Sequence, residues 1–173
     1  MALRGLRPVV EIMFGDFLSL TFDQLLNSAT KYAWMFGADV DIPLVVRTPM
    51  GGRRGYGPTH SQTIEKHFLG IPGLQVLAPC AFGDSGKLLS DAILHGSQPT
   101  VFVENKMLYL QPVNDAALLA DFDMQAFSDA APSYQFSIKG APAAQLTLAS
   151  YGYMASVALR AARELAYEHE VFT

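Results

Sequence analysis

The chain has 173 residues, of which 50% are hydrophobic and only 16% charged, with a formal net charge of −4 and a pI near 5.5. This composition excludes disorder, which needs few apolar residues and high net charge. It also argues against nucleic-acid binding, which favours basic domains, and no apolar run reaches the roughly 18 residues of a membrane span. So little charge is typical of a subunit with a large interface or of a compact monomer with buried strands.

Four short apolar stretches in the first 110 residues predict β-strands, at residues 8–14, 43–47, 74–78 and 99–104. The first of these is almost entirely apolar, so we expect it to be buried on both faces of a sheet. Glu11 within it needs a partner if it is buried, and Arg47 at the end of the next strand is a candidate for that ion pair.

Helices are predicted between these strands. Apolar residues spaced three or four apart favour one helix over residues 17–36, ended by Gly37. A short helix is expected over residues 60–68, and another begins at Asp84. Strands that alternate with helices indicate an α/β fold with a parallel sheet.

The second part of the chain is less regular. Residues 111–142 show no sustained period, which predicts a linker. A strand at 145–150 and a helix around Val157–Leu165 then predict the start of a second α/β domain. We therefore expect a partial domain over 1–110, a linker over 111–142 and a second domain that begins at 143.

A loop follows the second predicted strand, with four glycines and two prolines in residues 48–59. Backbone amides and two arginines there suit a phosphate, but the spacing matches neither a Walker loop nor GxGxxG, and an ordinary surface loop remains open. His60 follows directly, either as a ligand-facing group or as a helix-terminal residue. His60 and His67 lack a third metal ligand, which argues against a metal site. Cys80 lacks an activating base, which favours a structural cysteine over a catalytic one.

Five blocks carry a resemblance to a known family. GLRPVVEIMFGDF (5–17), DQLLNSA (23–29), PTHSQ (58–62), PGL (72–74) and VEN (103–105) resemble the β subunit of thiamine-diphosphate-dependent 2-oxoacid dehydrogenases of the pyruvate and branched-chain type. The resemblance covers residues 3–110 closely and 141–173 more weakly. It implies a transketolase-like pyrimidine-binding domain, with a parallel sheet flanked by helices, followed by the first strand and helix of the C-terminal domain.

The resemblance also implies roles for individual residues. Met13 and Phe17 would line the pocket for the cofactor's pyrimidine, since a thioether and an aromatic ring suit a flat heterocycle. His60 would face the active-site channel and orient the substrate or assist acyl transfer to a lipoyl group. Backbone carbonyls of Leu44, Ala92 and Ile93 match a structural potassium site of some members.

The family's cofactor is thiamine diphosphate, whose aminopyrimidine deprotonates the thiazolium carbon that attacks a 2-oxoacid. The resemblance implies an α subunit that binds the diphosphate with magnesium, another β chain, and a lipoyl acyltransferase as partners. It also implies that the family's essential glutamate precedes Met1, that the chain is truncated at both ends, and that it is inactive alone. The single cysteine and an N-terminus without a signal-peptide pattern predict a cytoplasmic location, and the resemblance implies an oligomer.

Two other functions are kept as alternatives. One is an inactive binding or assembly module of the same fold, which would form stable dimers without cofactor. The other is a transketolase-like transferase component, which would share the cofactor. An adjacent reading frame that encodes the glutamate segment would favour the dehydrogenase over the assembly module.

Overall fold

The computed structural model describes residues 1–37, 40–128 and 131–173. Its central feature is a sheet of four parallel strands in the order β1-β2-β4-β3. The strands are β1 (Val9–Glu11), β2 (Val45–Met50), β3 (Gln75–Leu77) and β4 (Thr100–Asn105). The predicted parallel α/β fold is therefore confirmed.

The two inner strands, β2 and β4, build the core by alternation of their side chains. Val46 and Val101 pair in register and pack with Leu18 and Phe68 on one face of the sheet. Their neighbours in the chain, among them Phe102, point to the other face, against α2 (Ser85–Leu94). Burial on both faces explains why these strands are nearly continuous runs of apolar residues.

Asp84 caps α2 as its position in the sequence predicts. Its carboxylate accepts a hydrogen bond from the backbone N–H of Lys87 at 2.8 Å, which satisfies one of the free amides of the first turn. The helix then covers the sheet through Ala92, which is buried.

The prediction of one helix over residues 17–36 is wrong. The segment divides into a 3-10 helix (Gly15–Thr21), a π-helix (Gln24–Ala29) and α1 (Tyr32–Phe36), and Gly37 ends it with a φ of 57° as expected. Hydroxyl groups explain the divisions. Thr21 and Thr30 donate to the carbonyls of Leu18 and Leu26, and such bonds compete with the regular helical ladder.

Two further expectations, on the burial of β1 and the end of β2, are corrected. β1 is an edge strand of the described sheet with a neighbour on one side only, so Val9 and Val10 are 45% and 41% exposed instead of buried. β2 continues through Met50, which the sequence placed in the loop, because Thr48–Met50 pair with Val103–Asn105.

The helix predicted over 60–68 is replaced by two 3-10 turns, Pro58–His60 and Glu65–His67. The backbone groups that a helix would use are bonded elsewhere. The Gln62 N–H donates to Asp16 Oδ1 at 3.3 Å, and the Gln62 carbonyl accepts from Gly51 at 3.2 Å.

The predicted linker contains regular structure. After α3 (Ala116–Leu119), β5 (Phe122–Phe127) and β6 (Ser133–Ile138) form an antiparallel pair. This pair packs on α4 (Tyr153–His169) through Phe122, Ile138 and Leu159. The domain boundaries remain a prediction.

Residues 145–150 form no strand, although α4 follows as expected. A strand needs a hydrogen-bonding neighbour. The segment is exposed, and its backbone pairing is limited to a bond of 2.9 Å from the Gln145 N–H to the Phe172 carbonyl. No helix within the described residues is long and apolar enough to cross a membrane.

Candidate functional site

Three chain segments meet beyond the carboxyl ends of β1, β2 and β4. Phe14 and Phe17 follow β1, Tyr56 and His60 come from the loop after β2, and Lys106 follows β4 directly. In open parallel sheets ligands bind at this edge, because the loops after the strands converge there. We call these five residues with Asp16 the carboxyl-edge cluster.

The rings of the cluster meet edge to face. The His60 imidazole lies 4.7 Å from the Phe14 ring and 5.2 Å from the Phe17 ring, centroid to centroid, at interplanar angles of 86° and 85°. Phe14 also packs on Tyr56 at 5.5 Å. Such contacts fix ring orientations, so the imidazole of His60 has a defined place. Thr59 adds a contact of 3.1 Å from its hydroxyl to His60 Nδ1.

Asp16 supplies a buried carboxylate beside these rings. Its residue is 9% exposed, and its Oδ1 accepts from the side-chain amide of Gln62 at 2.8 Å and from the Gln62 backbone N–H. Its Oδ2 is buried without a hydrogen-bond partner among the described residues. An unpaired buried acceptor is costly unless a donor reaches it.

Lys106 is the buried cation of the cluster, at 5% exposure. Its ammonium donates to the His60 carbonyl at 2.6 Å and lies 5.0 Å and 5.2 Å from the ring centroids of Phe14 and Tyr56. Burial lowers the pKa of Lys106, while the charge of Asp16 opposes that shift. The ring contacts are cation–π interactions, which partly replace lost hydration.

Two glycines permit the close packing around the cluster. A Cβ on Gly15 would overlap the Met50 side chain, so a larger residue there would force Met50 at the end of β2 to shift. Gly51 has a φ of 95°, which favours glycine. Arg53 and Arg54 of the following loop are exposed, and phosphate binding by this loop remains a prediction.

A second polar network lies near the same ends of the strands. The predicted pair of Arg47 with Glu11 is present at 3.9 Å, but Arg47 mainly binds Glu104, with three bonds of 2.8–3.1 Å. The Tyr109 hydroxyl donates to Glu104 at 2.6 Å. Burial and this bond raise the pKa of Tyr109, and the bond to Glu104 raises the pKa of Arg47.

The other predicted site residues are less involved in the cluster. Met13 is 65% exposed, and His67 is exposed in its 3-10 turn. Within the described ranges, no three His, Cys, Asp or Glu side chains converge as metal ligands. Burial raises the pKa of the Cys80 thiol, which disfavours the thiolate that a nucleophile needs.

Two of the three carbonyls predicted for potassium accept hydrogen bonds from other residues of the chain. The Leu44 carbonyl accepts the Thr100 N–H at 2.8 Å, as a ladder bond of the sheet. The Ile93 carbonyl accepts from Arg7 at 3.1 Å, and the same nitrogen donates to Gly96 at 2.6 Å. Arg7 therefore brings positive charge to the carboxyl end of α2, where cations are favourable. The guanidinium of Arg7 is thus a positive charge already present at this end of α2. Potassium binding by the carbonyls of Leu44, Ala92 and Ile93 remains a prediction.

The sequence reasoning missed Phe14, Asp16, Tyr56 and Lys106. One signal was available, since Lys106 and Asp16 are charged residues within a few positions of the ends of apolar strands. In a parallel sheet those positions share one edge. The aromatic residues of the cluster carried no comparable signal, because an aromatic residue after a strand is as typical of core packing as of a binding site.

An all-parallel α/β sheet that gathers rings, a histidine and buried charges at its carboxyl edge defines a ligand-binding α/β domain. The chain belongs to the transketolase pyrimidine-binding domain family, whose model, described as "Transketolase, pyrimidine binding domain", matches residues 1–112.

The relatives agree with the predicted resemblance. The chain is 35% identical to the mitochondrial pyruvate dehydrogenase E1 component subunit beta-1 of Arabidopsis thaliana, over 96% of the chain and 44% of that protein. It is 40% identical to the acetoin:2,6-dichlorophenolindophenol oxidoreductase subunit beta of Cupriavidus necator, over 61% of the chain and 31% of that protein. It is also 40% identical to the mitochondrial pyruvate dehydrogenase E1 component subunit beta of Caenorhabditis elegans, over 70% of the chain.

These relatives confirm the predicted kinship with β subunits of thiamine-diphosphate-dependent dehydrogenases. The chain spans less than half the length of each of them, 44%, 31% and 35%.

Proposed function

We propose that the chain provides the pyrimidine side of the active site of a thiamine-diphosphate-dependent 2-oxoacid dehydrogenase. The observation that carries the proposal is the fixed place of His60, edge-on between Phe14 and Phe17 at the carboxyl edge of the sheet. It lies within the part of the chain that the family model matches. In this proposal an α subunit supplies the diphosphate site with its magnesium.

The residues of the cluster fit the cofactor's pyrimidine. Phe17 offers an aromatic face, and the exposed Met13 is free to contact a flat ring. Asp16 Oδ2 is a buried acceptor that lacks a donor. When bound, thiamine diphosphate would supply the carbon nucleophile and the electron sink for decarboxylation. His60 would orient the substrate and move a proton during acyl transfer to a lipoyl group.

Binding of thiamine diphosphate tests the shared site. The chain alone and the chain with an α subunit of a pyruvate dehydrogenase are titrated with the cofactor and magnesium in a calorimeter. We expect binding only when the α subunit is present, because the diphosphate is held there. Equal binding by the chain alone would overturn the shared-site proposal.

A histidine variant tests the role of His60 in the assembled protein. His60→Asn should retain cofactor binding and lose at least about a hundredfold in acyl transfer, the lower end of what a general acid–base contributes. His67→Asn is the matched control, because His67 is exposed seven residues further along. Equal loss in both variants would contradict a specific role for His60.

The substrate class is part of the proposal. The relatives include both pyruvate dehydrogenase and acetoin oxidoreductase subunits, so the assembled protein is assayed with pyruvate, branched-chain 2-oxoacids and acetoin in parallel. We expect turnover of a 2-oxoacid. Transfer of a two-carbon unit between sugars would instead favour the transketolase-like alternative.

An assembly module of the same fold is the second candidate. Trp34, Met35 and Phe36 are 88%, 58% and 63% exposed, and contiguous apolar surface of this kind marks interaction sites. Stable dimers without cofactor binding, even with an α subunit, would favour this candidate. Oligomer formation, a lipoyl acyltransferase partner and a cytoplasmic location belong to the main proposal, and sedimentation, pull-down and fractionation test them.

A further inference from the structure

Two buried charged side chains hold the short segment 60–62 from opposite ends. Lys106, after β4, donates from its ammonium to the His60 carbonyl at 2.6 Å. Asp16, after β1, accepts from the backbone and the side chain of Gln62, at 3.3 Å and 2.8 Å. The Gly51 N–H completes the set with a bond of 3.2 Å to the Gln62 carbonyl. The segment that carries His60 is therefore fixed by all three neighbouring strand ends.

These charges are expensive for the fold. Lys106 and Asp16 are only 5% and 9% exposed, and they do not approach within the 4 Å of an ion pair among the described residues. Removal of each charge from water costs several kcal/mol, and a close ionic partner would offset part of that cost. Packing alone does not account for a lysine and an aspartate at these positions.

We propose that Lys106 and Asp16 are positioning residues that fix the His60 imidazole against Phe14 and Phe17. Lys106 acts twice, because its ammonium binds the His60 carbonyl and also faces the Phe14 ring at 5.0 Å. Lys106 therefore contacts both the backbone of His60 and Phe14, one of the two rings that pack on the His60 imidazole. The catalytic significance of this position rests on the proposed function, whereas the positioning itself does not.

Proton NMR of the cofactor-free chain tests the positioning. Rings packed edge to face displace each other's proton resonances, so the ring protons of His60 should be shifted relative to those of the exposed His67. In Lys106→Met we expect that shift to disappear. The same variant loses the charge-assisted hydrogen bond from Lys106 to the His60 carbonyl, which holds segment 60–62. We therefore expect the backbone amide of Gln62 to exchange with solvent at least about tenfold faster. Lys106→Arg, which keeps a donor and the charge, should restore part of the shift.

Stability separates positioning from a merely structural role. Lys106→Met leaves the His60 carbonyl without its donor but also removes the desolvation cost of a buried charge, so the melting temperature should change little while His60 is released. Lys66→Met is the matched control, since Lys66 is an exposed lysine of the neighbouring turn. It should change neither the His60 resonances nor the Gln62 amide.

Asp16→Asn gives an independent variant if Lys106→Met does not fold. It keeps an acceptor oxygen for Gln62 but removes the charge, and we expect a smaller loss of the His60 shift in the same direction. Unchanged His60 resonances in both folded variants would overturn the proposal, as would equal changes in Lys66→Met. A failure of the proposed function looks different, because His60 would then be released in the variants although the assembled protein binds no thiamine diphosphate.

Discussion

The sheet of residues 9–105 and the region after it bury their residues in different ways. β2 and β4 each have strand neighbours on both sides, and five of the six β4 residues are buried. β5 and β6 have only each other, and five of the six β5 residues are exposed. A two-stranded sheet is marginal by itself, so the second region depends on α4 while the first has a core on both faces.

The charges follow the same division. Residues 1–110 contain nine basic and nine acidic side chains, whereas residues 111–173 contain three and seven, which gives the whole net charge of −4. Among the described residues, the buried charged side chains, Asp16, Glu65, Glu104 and Lys106, all lie in the first region. The first region therefore combines an apolar core with buried charge, whereas the second has an apolar core alone, which β5 and β6 share with α4 and Phe82.

Removal of a large core side chain from each region should give the largest effects. Phe102→Ala in β4 empties the centre of the sheet and should cost about 3–5 kcal/mol, the usual range for buried phenylalanine. Phe122→Ala in β5 removes a ring that is nearly as buried, at 5% against 2% exposure. We expect a smaller loss that stays within residues 122–169.

Urea denaturation with hydrogen-exchange mass spectrometry measures both losses by region. Phe102→Ala should speed exchange throughout β1–β4, and Phe122→Ala should leave those strands protected. An identical exchange pattern in both variants would show one cooperative unit and contradict the comparison.

The ion pair of Arg47 should give the next largest effect. Arg47→Met leaves the buried Glu104 carboxylate with the Tyr109 hydroxyl as its remaining hydrogen-bond partner, which should cost about 2 kcal/mol in free energy of unfolding. Glu11→Gln is the control, since its ion pair is long and its side chain 66% exposed, and surface pairs contribute at most about 1 kcal/mol. A double variant with Glu104→Gln should recover part of the loss. A larger loss from Glu11→Gln than from Arg47→Met would contradict the assignment.

Much of the first region was predictable because its signals are local. Apolar runs located all four strands, and Asp84 located the start of α2. The helical segment after β1 was mispredicted because hydroxyl-to-carbonyl bonds, as at Thr21, replace a regular ladder without altering the apolar period. The 60–62 segment was mispredicted because its backbone partners, Asp16 and Gly51, are distant in sequence.

The site was predictable only in part, for the same reason. His60 and Phe17 were named through the resemblance, and the structure brings their rings to 5.2 Å. Lys106 is separated from His60 by 46 positions, and no local pattern reports such a contact. β5 and β6 were missed although their sequences carry a strand period. Phe122 and Met124 alternate with polar residues in β5, and Tyr134, Phe136 and Ile138 do so in β6.

The cation at the end of α2 should have a smaller effect than Arg47. Arg7→Met removes two hydrogen bonds to helix-end carbonyls, but the side chain is exposed, so we expect a loss of about 1 kcal/mol. The measurement is urea denaturation in potassium chloride and in lithium chloride. If potassium binds at Leu44, Ala92 and Ile93, the variant should be more stable in the potassium salt. Equal stability in both salts would contradict the potassium prediction.

The hydrogen bond from Tyr151 to Glu65, one of several contacts between the two regions, should give the smallest effect. Tyr151 donates to the buried Glu65 at 2.8 Å, and this bond, followed by burial, raises the pKa of Tyr151. An unfolded tyrosine loses its proton near pH 10, whereas the folded chain retains it to higher pH. Above about pH 10 the unfolded state therefore binds fewer protons, and the free energy of unfolding falls as the pH rises.

Tyr151→Phe should cost less than about 1 kcal/mol at neutral pH, because the residue is 55% exposed. The difference in the free energy of unfolding between this variant and the unchanged chain should then become smaller as the pH rises through the range where Tyr151 ionises. Tyr167→Phe, which alters an exposed tyrosine of α4, is the matched control and should leave the pH dependence unchanged. Urea denaturation from neutral to alkaline pH measures both variants. If the difference in the free energy of unfolding between Tyr151→Phe and the unchanged chain is constant with pH, this hydroxyl does not join the two regions. The contacts of Phe82 with Phe136 and of Gly83 with Asn114 would then hold them together.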